Sequence, residues 1–220
     1  MSTHLNKEIE TLKKELLGLC GMVEESLWQA VKSLTYKDIE LAEKVIQSDI
    51  NIDAMEVKVE EECLKILALH QPVAVDLRFI VTAMKINIDL ERIGDLAVNI
   101  AERSRFLSAQ KDFQNLLDFE TMAEKTQQML KKSIDSLINI DADLAAEVCN
   151  DDDEVDRINR QMYDQVKQQV QIFPEKVEIL IHLLSISRHL ERIADHATNI
   201  AEDVIYMVKG EIVRHKTEKY

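Results

Sequence analysis

Eight carboxylates in two matched sets are the residues of this chain best placed to do chemistry. Asp49 and Asp53 are four residues apart, as are Glu91 and Asp95; Asp152 with Asp156 and Glu191 with Asp195 repeat the arrangement. A four-residue step on a helix turns the chain by only about 40° while rising about 6 Å, so each pair shares a face. The stretch from Leu90 to Glu102 returns as Leu190 to Glu202, identical at ten of thirteen positions. In both copies an oxygen-rich stripe (Glu91, Asp95, Asn99, Glu102; Glu191, Asp195, Asn199, Glu202) lies opposite an apolar one (Ile93, Ala97, Ile100; Ile193, Ala197, Ile200). Crowded like charges raise one another's pKa and weaken a helix pair unless something positive neutralises them. All-oxygen ligands suit hard ions such as magnesium, manganese or iron, and the lack of clustered cysteine and histidine argues against zinc. His196 lies about 140° around its helix from Glu191 and is not expected among the ligands. A metal-free reading stands beside this one: a solvated acidic face laced by Arg92, Arg157, Arg188 and Arg192.

The elements that must hold these groups follow from composition and period. Only four glycines and two prolines occur in 220 residues, while leucine, alanine, isoleucine, glutamate and lysine are plentiful. That composition favours long helices and predicts an all-α chain. Leu5, Ile9, Leu12, Leu16, Leu19, Val23, Leu27, Val31 and Leu34 recur at spacings of three and four, which predicts a first amphipathic helix over residues 4–35. Trp28, beside this series, reads as a packing residue. Asp38 can cap a second helix running to about His70, with Leu41, Val45, Ile52, Met55, Val59 and Ile66 on its apolar side. Gln71-Pro72 breaks it, and a third helix carries the signature to about Leu107.

The second half repeats the first. The run Asp38 to Val45 matches Asp141 to Val148 at an offset of 103, and the signatures match at an offset of 100. Two tandem three-helix bundles are expected, over residues 1–108 and 109–220, with a short hinge at Ser108 to Asp112. Chain reversals fall near Tyr36, Pro72, Gln110, Ile140 and Pro174. If the second and third helices fold back at Pro72, Asp53 and Glu91 are equally far from the turn, and so are Asp49 and Asp95. Four carboxylates then meet at one level, and the second half repeats this about Pro174.

The net charge of −14, shared by both halves, argues against nucleic-acid binding, which needs a concentrated basic face. Cys20, Cys63 and Cys149 are isolated, which fits inert thiols in a reducing compartment. Charged residues from Lys7 to Glu15 leave no room for a signal-peptide core, and no apolar run is long enough to insert in a membrane, so a soluble cytoplasmic protein is expected. No glycine-rich phosphate loop and no serine or cysteine motif with a base is present, so no enzyme is predicted. A ferritin-like di-iron oxidase would need Glu-x-x-His facing inward, whereas Glu91 and Glu191 are followed by Gly94 and Ala194.

With these residues in view, the chain resembles the PhoU-type phosphate-uptake regulators, the accessory proteins of the phosphate-specific transport system. The resemblance rests on Leu-Glu-Arg-Ile-(Gly/Ala)-Asp in both halves with an Asp-x-x-x-Asp pair upstream of each. It extends to Gly21-Met22-Val23-Glu24, to Gln71-Pro72 followed by Asp76-Leu77-Arg78, and to Tyr206-Met207-Val208-Lys209-Gly210. It implies a cytoplasmic, homodimeric negative regulator that links the phosphate transporter and its ATPase subunit to a phosphate-sensing histidine kinase. It also implies that Asp49, Asp53, Glu91 and Asp95, and Asp152, Asp156, Glu191 and Asp195, hold multinuclear metal clusters, with Asn99, Glu102, Asn199 and Glu202 as further candidates. Where the copies differ, Gly94 against Ala194 and Leu96 against His196, the two sites are open to different ligation.

Overall fold

Apolar periodicity with few breakers produces six long helices in the computed structural model, which describes residues 3–110, 117 and 119–212. They are α1 (Thr3–Tyr36), α2 (Ile39–His70), α3 (Ala74–Ser108), α4 (Glu120–Asn139), α5 (Ala142–Ile172) and α6 (Val177–Lys209), with one 3-10 turn at Pro174–Lys176. No strand occurs among the described residues. The reversals lie at Tyr36, Pro72, Ile140 and Pro174 as anticipated; α3 closes at Ser108, and residues 111 and 112 of the expected hinge lie outside the described residues.

The duplication is written in the caps. Asp38 accepts a hydrogen bond from the Leu41 amide at 3.0 Å, and its counterpart Asp141 accepts from the amides of Asp143 and Leu144, both at 3.0 Å. Each occupies an orphan donor of its helix, an interaction worth about 1 kcal/mol over alanine. At the far end, α6 stops at Gly210, whose φ of 74° is costly for any other residue.

α1, α2 and α3 pack on one another, as do α4, α5 and α6, and the halves join chiefly through α3 against α6. The core is the one the spacing marks: Leu12, Leu16, Leu19, Val23 and Leu27 from α1, Ile52, Val59 and Ile66 from α2, and Ile93, Ala97 and Ile100 with their repeats from the signatures are all buried. Trp28 departs from expectation. It is 46% exposed, because it sits at the margin of the α1 apolar stripe and faces a cleft toward α4 lined by Glu24, Glu25, Glu124 and Lys131. Lys32 Nζ lies 4.3 Å over its ring.

Candidate functional site

The first carboxylate set lies beside a close approach of α2 and α3. At Gly94 an added Cβ would stand 3.2 Å from the side chain of Ile52 and 3.6 Å from Asp49 Oδ1, so the glycine lets the two backbones draw together beside the acid. Asp49 Oδ1 is buried there without a hydrogen-bond partner, and such an atom ordinarily costs stability. Burial, with Asp53 and Asp95 as charged neighbours, pushes the Asp49 carboxyl up to about 6. Glu91 is raised by burial and by Asp95, Glu56 and Asp53, against the opposing pull of Arg92. All four predicted acids thus share one field. Asp49 responds to Asp95 across the helix pair and Glu91 to Asp53, the pairing that equal distances from Pro72 dictate.

The second set repeats this on α5 and α6. Burial, then Asp195, Asp156, Asp153 and Glu191, push Asp152 up to about 6. Glu191 is raised by burial, Asp195 and Asp156, and Asp195 by burial and Asp156. Among the described residues neither quartet gathers three donor atoms within 4.8 Å of one another. Unneutralised carboxylates repel, so the side chains stand apart on a shared face.

The flanking candidates divide. Asn99 Nδ2 donates to the Asp95 carbonyl 2.8 Å away, within its own helix. Glu102 is exposed and pairs with Arg103 at 3.4 Å. Glu202 lies near Asp152, since both raise the Cys149 thiol, which burial chiefly pushes up to about 12. Cys20 and Cys63 are likewise raised to about 12 by burial, so all three thiols are protonated and unreactive at neutral pH. Asn199 and His196 find their hydrogen-bond partner elsewhere, although His196 still lies close enough to Asp195 to oppose its upward shift. His196 Nδ1 lies 2.7 Å and Asn199 Nδ2 3.2 Å from Asp89 Oδ1, so both serve the α3–α6 seam between the halves.

Of the four arginines expected to lace the stripes, Arg92 does so directly, 3.4 Å from Glu91 and from Asp95. Arg157 instead reaches Glu154 at 3.8 Å and Gln161 at 2.9 Å, and Arg160 stands 3.7 Å from Asp156.

Glu56 was not singled out by spacing, yet it joins the first set. It is raised by burial, Glu60 and Asp53, and Asn87 Nδ2 donates to its carbonyl at 2.9 Å and to Oε1 at 3.1 Å. The repeat could have flagged it: its counterpart Asn159 accepts from Ser187, the counterpart of Asn87, at 2.7 Å. One half therefore has a fifth carboxylate where the other has an amide.

Asp49 and Asp152, held near 6 against an ordinary 3.8, keep a proton in the folded chain that the unfolded chain has released. Stability from these groups is present below the ordinary carboxylate value and is lost as the pH rises through about 6. Without added metal, the melting temperature of the protein is expected to carry a component that falls across that window. Replacing both residues by Asn is expected to flatten it, which thermal melts at stepped pH would show.

The PhoU domain matches twice, over residues 16–104 and 119–204. The chain belongs to the PhoU family. It is 40% identical to the phosphate-specific transport system accessory protein PhoU homolog of Aquifex aeolicus (strain VF5) over 96% of each chain. It is 33% identical to the accessory protein PhoU of Escherichia coli (strain K12), over 98% of this chain and 89% of that one. The crystal structure of PhoU from Pseudomonas aeruginosa superposes with a TM-score of 0.91 at 37% identity, covering 94% of this chain and 99% of that one. That of the phosphate transport system regulatory protein PhoU from Streptococcus pneumoniae gives 0.84 at 29% identity, covering 95% and 99%. The PhoU fold, two three-helix bundles related by duplication, is the fold of this chain.

Proposed function

We propose that this protein regulates phosphate uptake without itself being an enzyme. In this reading it acts in the cytoplasm as a homodimer, linking the phosphate transporter, through its ATPase subunit, to a phosphate-sensing histidine kinase, and it keeps the starvation response off when phosphate is plentiful. The double domain match, with relatives named as phosphate transport accessory proteins along nearly the whole chain, carries the reading. That no helix among the described residues is long and apolar enough to cross a membrane is compatible with it. Deleting the gene is expected to leave phosphate-starvation genes expressed in phosphate-rich medium. Normal repression in the deletion strain would remove the regulator reading.

The carboxylate sets are assigned, within the same proposal, to surface clusters of hard metal ions such as iron, manganese or magnesium. The donor chemistry fits: oxygen-only ligands, raised carboxyls and the unpartnered Asp49 Oδ1 beside Gly94 suit a cation of high charge. Asp49, Asp53, Glu91 and Asp95 would hold one cluster and Asp152, Asp156, Glu191 and Asp195 the other. Bound metal would cancel the mutual repulsion and pin α2 to α3 and α5 to α6.

A metal-free adaptor, whose acidic faces dock on basic partner surfaces, is the second reading. It draws on Arg92 already lying 3.4 Å from Glu91 and Asp95, and on the absence, among the described residues, of a tight three-donor group in either quartet. Metal analysis of the protein purified without an affinity tag separates the two.

A further inference from the structure

A different kind of ligand set lies at the end of the first bundle. His4 and Glu8 are four residues apart on α1 and so share a face. α2 returns alongside α1 and delivers His70 in its last turn, just before Gln71 ends the helix in the left-handed region at φ 45°. His70 Nε2 lies 2.6 Å from Glu8 Oε2, and His4 Nδ1 lies 3.7 Å from Glu8 Oε1. The two imidazole rings are 6.0 Å apart between centroids. One donor atom from each residue falls within 4.8 Å of the others, and among the described residues this is the group of histidine, cysteine or acidic side chains that gathers so closely. Glu8 and His70 are sheltered, with 13% and 19% of their side chains exposed, while His4 is open to solvent.

We propose that His4, Glu8 and His70 form a binding site for a borderline divalent cation, zinc foremost, which staples the start of α1 to the end of α2. Two imidazole nitrogens and one carboxylate oxygen suit zinc, nickel or cobalt, whereas magnesium and calcium prefer oxygen alone. Donors bound to zinc at about 2.0–2.2 Å stand roughly 3.3 Å apart around a tetrahedron, so modest rotation of His4 closes the set. Three protein ligands leave a position for water. Lys65 Nζ, 3.5 Å from Glu8 Oε1, is the competing cation, and it has a nearer partner in Glu62 Oε1 at 3.0 Å to which it can withdraw. This site shares no residue with the carboxylate stripes and differs from them in donor type, so it stands or falls independently of them.

The test uses the full chain without a tag, stripped by chelator and titrated with zinc by calorimetry and with cobalt by visible absorption. Cobalt held by two imidazoles and one carboxylate at low coordination number absorbs more strongly than cobalt in an all-oxygen octahedral set. The strong band is expected in the wild type and in Glu91→Gln/Asp95→Asn, and is expected to vanish in His70→Gln. Zinc affinity at this site should fall by about tenfold or more in His70→Gln and in Glu8→Gln. His4→Ala, at a solvent-open position that cannot upset the core, should weaken zinc binding and shift the band. Zinc should raise the melting temperature of His70→Gln by less than that of the wild type. Cobalt spectra and zinc isotherms identical in wild type, His70→Gln and His4→Ala would leave a Glu8–His70 hydrogen bond only and overturn the site.

Discussion

Replacing Glu91 and Asp95 by Gln and Asn is expected to empty the first carboxylate set and leave the second loaded, so that metal bound by oxygen-only ligands falls to about half. The reason is geometric. Asp53 and Asp95 both raise Asp49 and Glu91, while the raised carboxyls of the other half answer to Asp153, Asp156, Glu191 and Asp195. The two sets belong to different helix pairs, α2–α3 and α5–α6. Without metal, the same variant relieves like-charge repulsion and should be more stable than wild type by a few tenths of a kcal/mol per pair, roughly the value of surface charge pairs. With divalent metal the order should reverse, because a ligand that binds only the folded state stabilises it by RT ln(1 + [L]/Kd). Elemental analysis and paired melts with and without metal check both signs. Equal metal content in wild type and variant, with equal metal-induced shifts, would remove the cluster assignment and leave the acidic adaptor.

Much of the fold was legible because the signals repeat. Asp38 and Asp141 mark two helix starts, and Pro72 and Pro174 mark two reversals. The apolar series of α1 predicts burial at every position except Val31, which is half-buried. Counting from Pro72 put Asp49 opposite Asp95 and Asp53 opposite Glu91, since a helix hairpin fixes height by residue number alone. Periodicity names the face on which a residue lies but says nothing of the distance between helices. The close approach at Gly94, the orphaned Asp49 Oδ1 and the recruitment of Glu56 through Asn87 all depend on that distance. Trp28 escaped for a related reason: a residue at the margin of a stripe is buried only if a neighbour covers it, and α4 leaves a cleft there. His4, Glu8 and His70 meet only because α1 and α2 have matched lengths, 34 and 32 residues, about one tight turn.

The seam between the halves was least legible, and the largest loss of stability is expected there. Asp89, 9% exposed, accepts from His196 and Asn199, joining α3 to α6. By the repeat, the counterpart of Asp89 is His189 and that of His196 is Leu96, so the same bond cannot form twice. At the equivalent position both ring nitrogens of His189 are buried without a partner, and burial, with Arg103, Arg192 and Arg188 nearby, holds its pKa down to about 4. Asp89→Ala strips two partly buried donors of their shared acceptor and is expected to cost on the order of 3 kcal/mol. For a chain of this length that lowers the melting temperature by roughly 6–12 °C. His189→Leu replaces a neutral, unpartnered ring by an apolar side chain and is expected to leave stability unchanged or raise it by about 1 kcal/mol. Two equivalent positions of one duplication should therefore respond with opposite sign. A double-mutant cycle with Asp89→Ala and His196→Ala should return a coupling of about 1–3 kcal/mol, as expected for residues in direct contact. Denaturant unfolding of the variants decides the matter: equal losses at positions 89 and 189, or no coupling between 89 and 196, would mean that Asp89 contributes nothing to joining the halves, leaving them to apolar packing of α3 on α6 and to the Lys85–Asp203 pair at 3.0 Å.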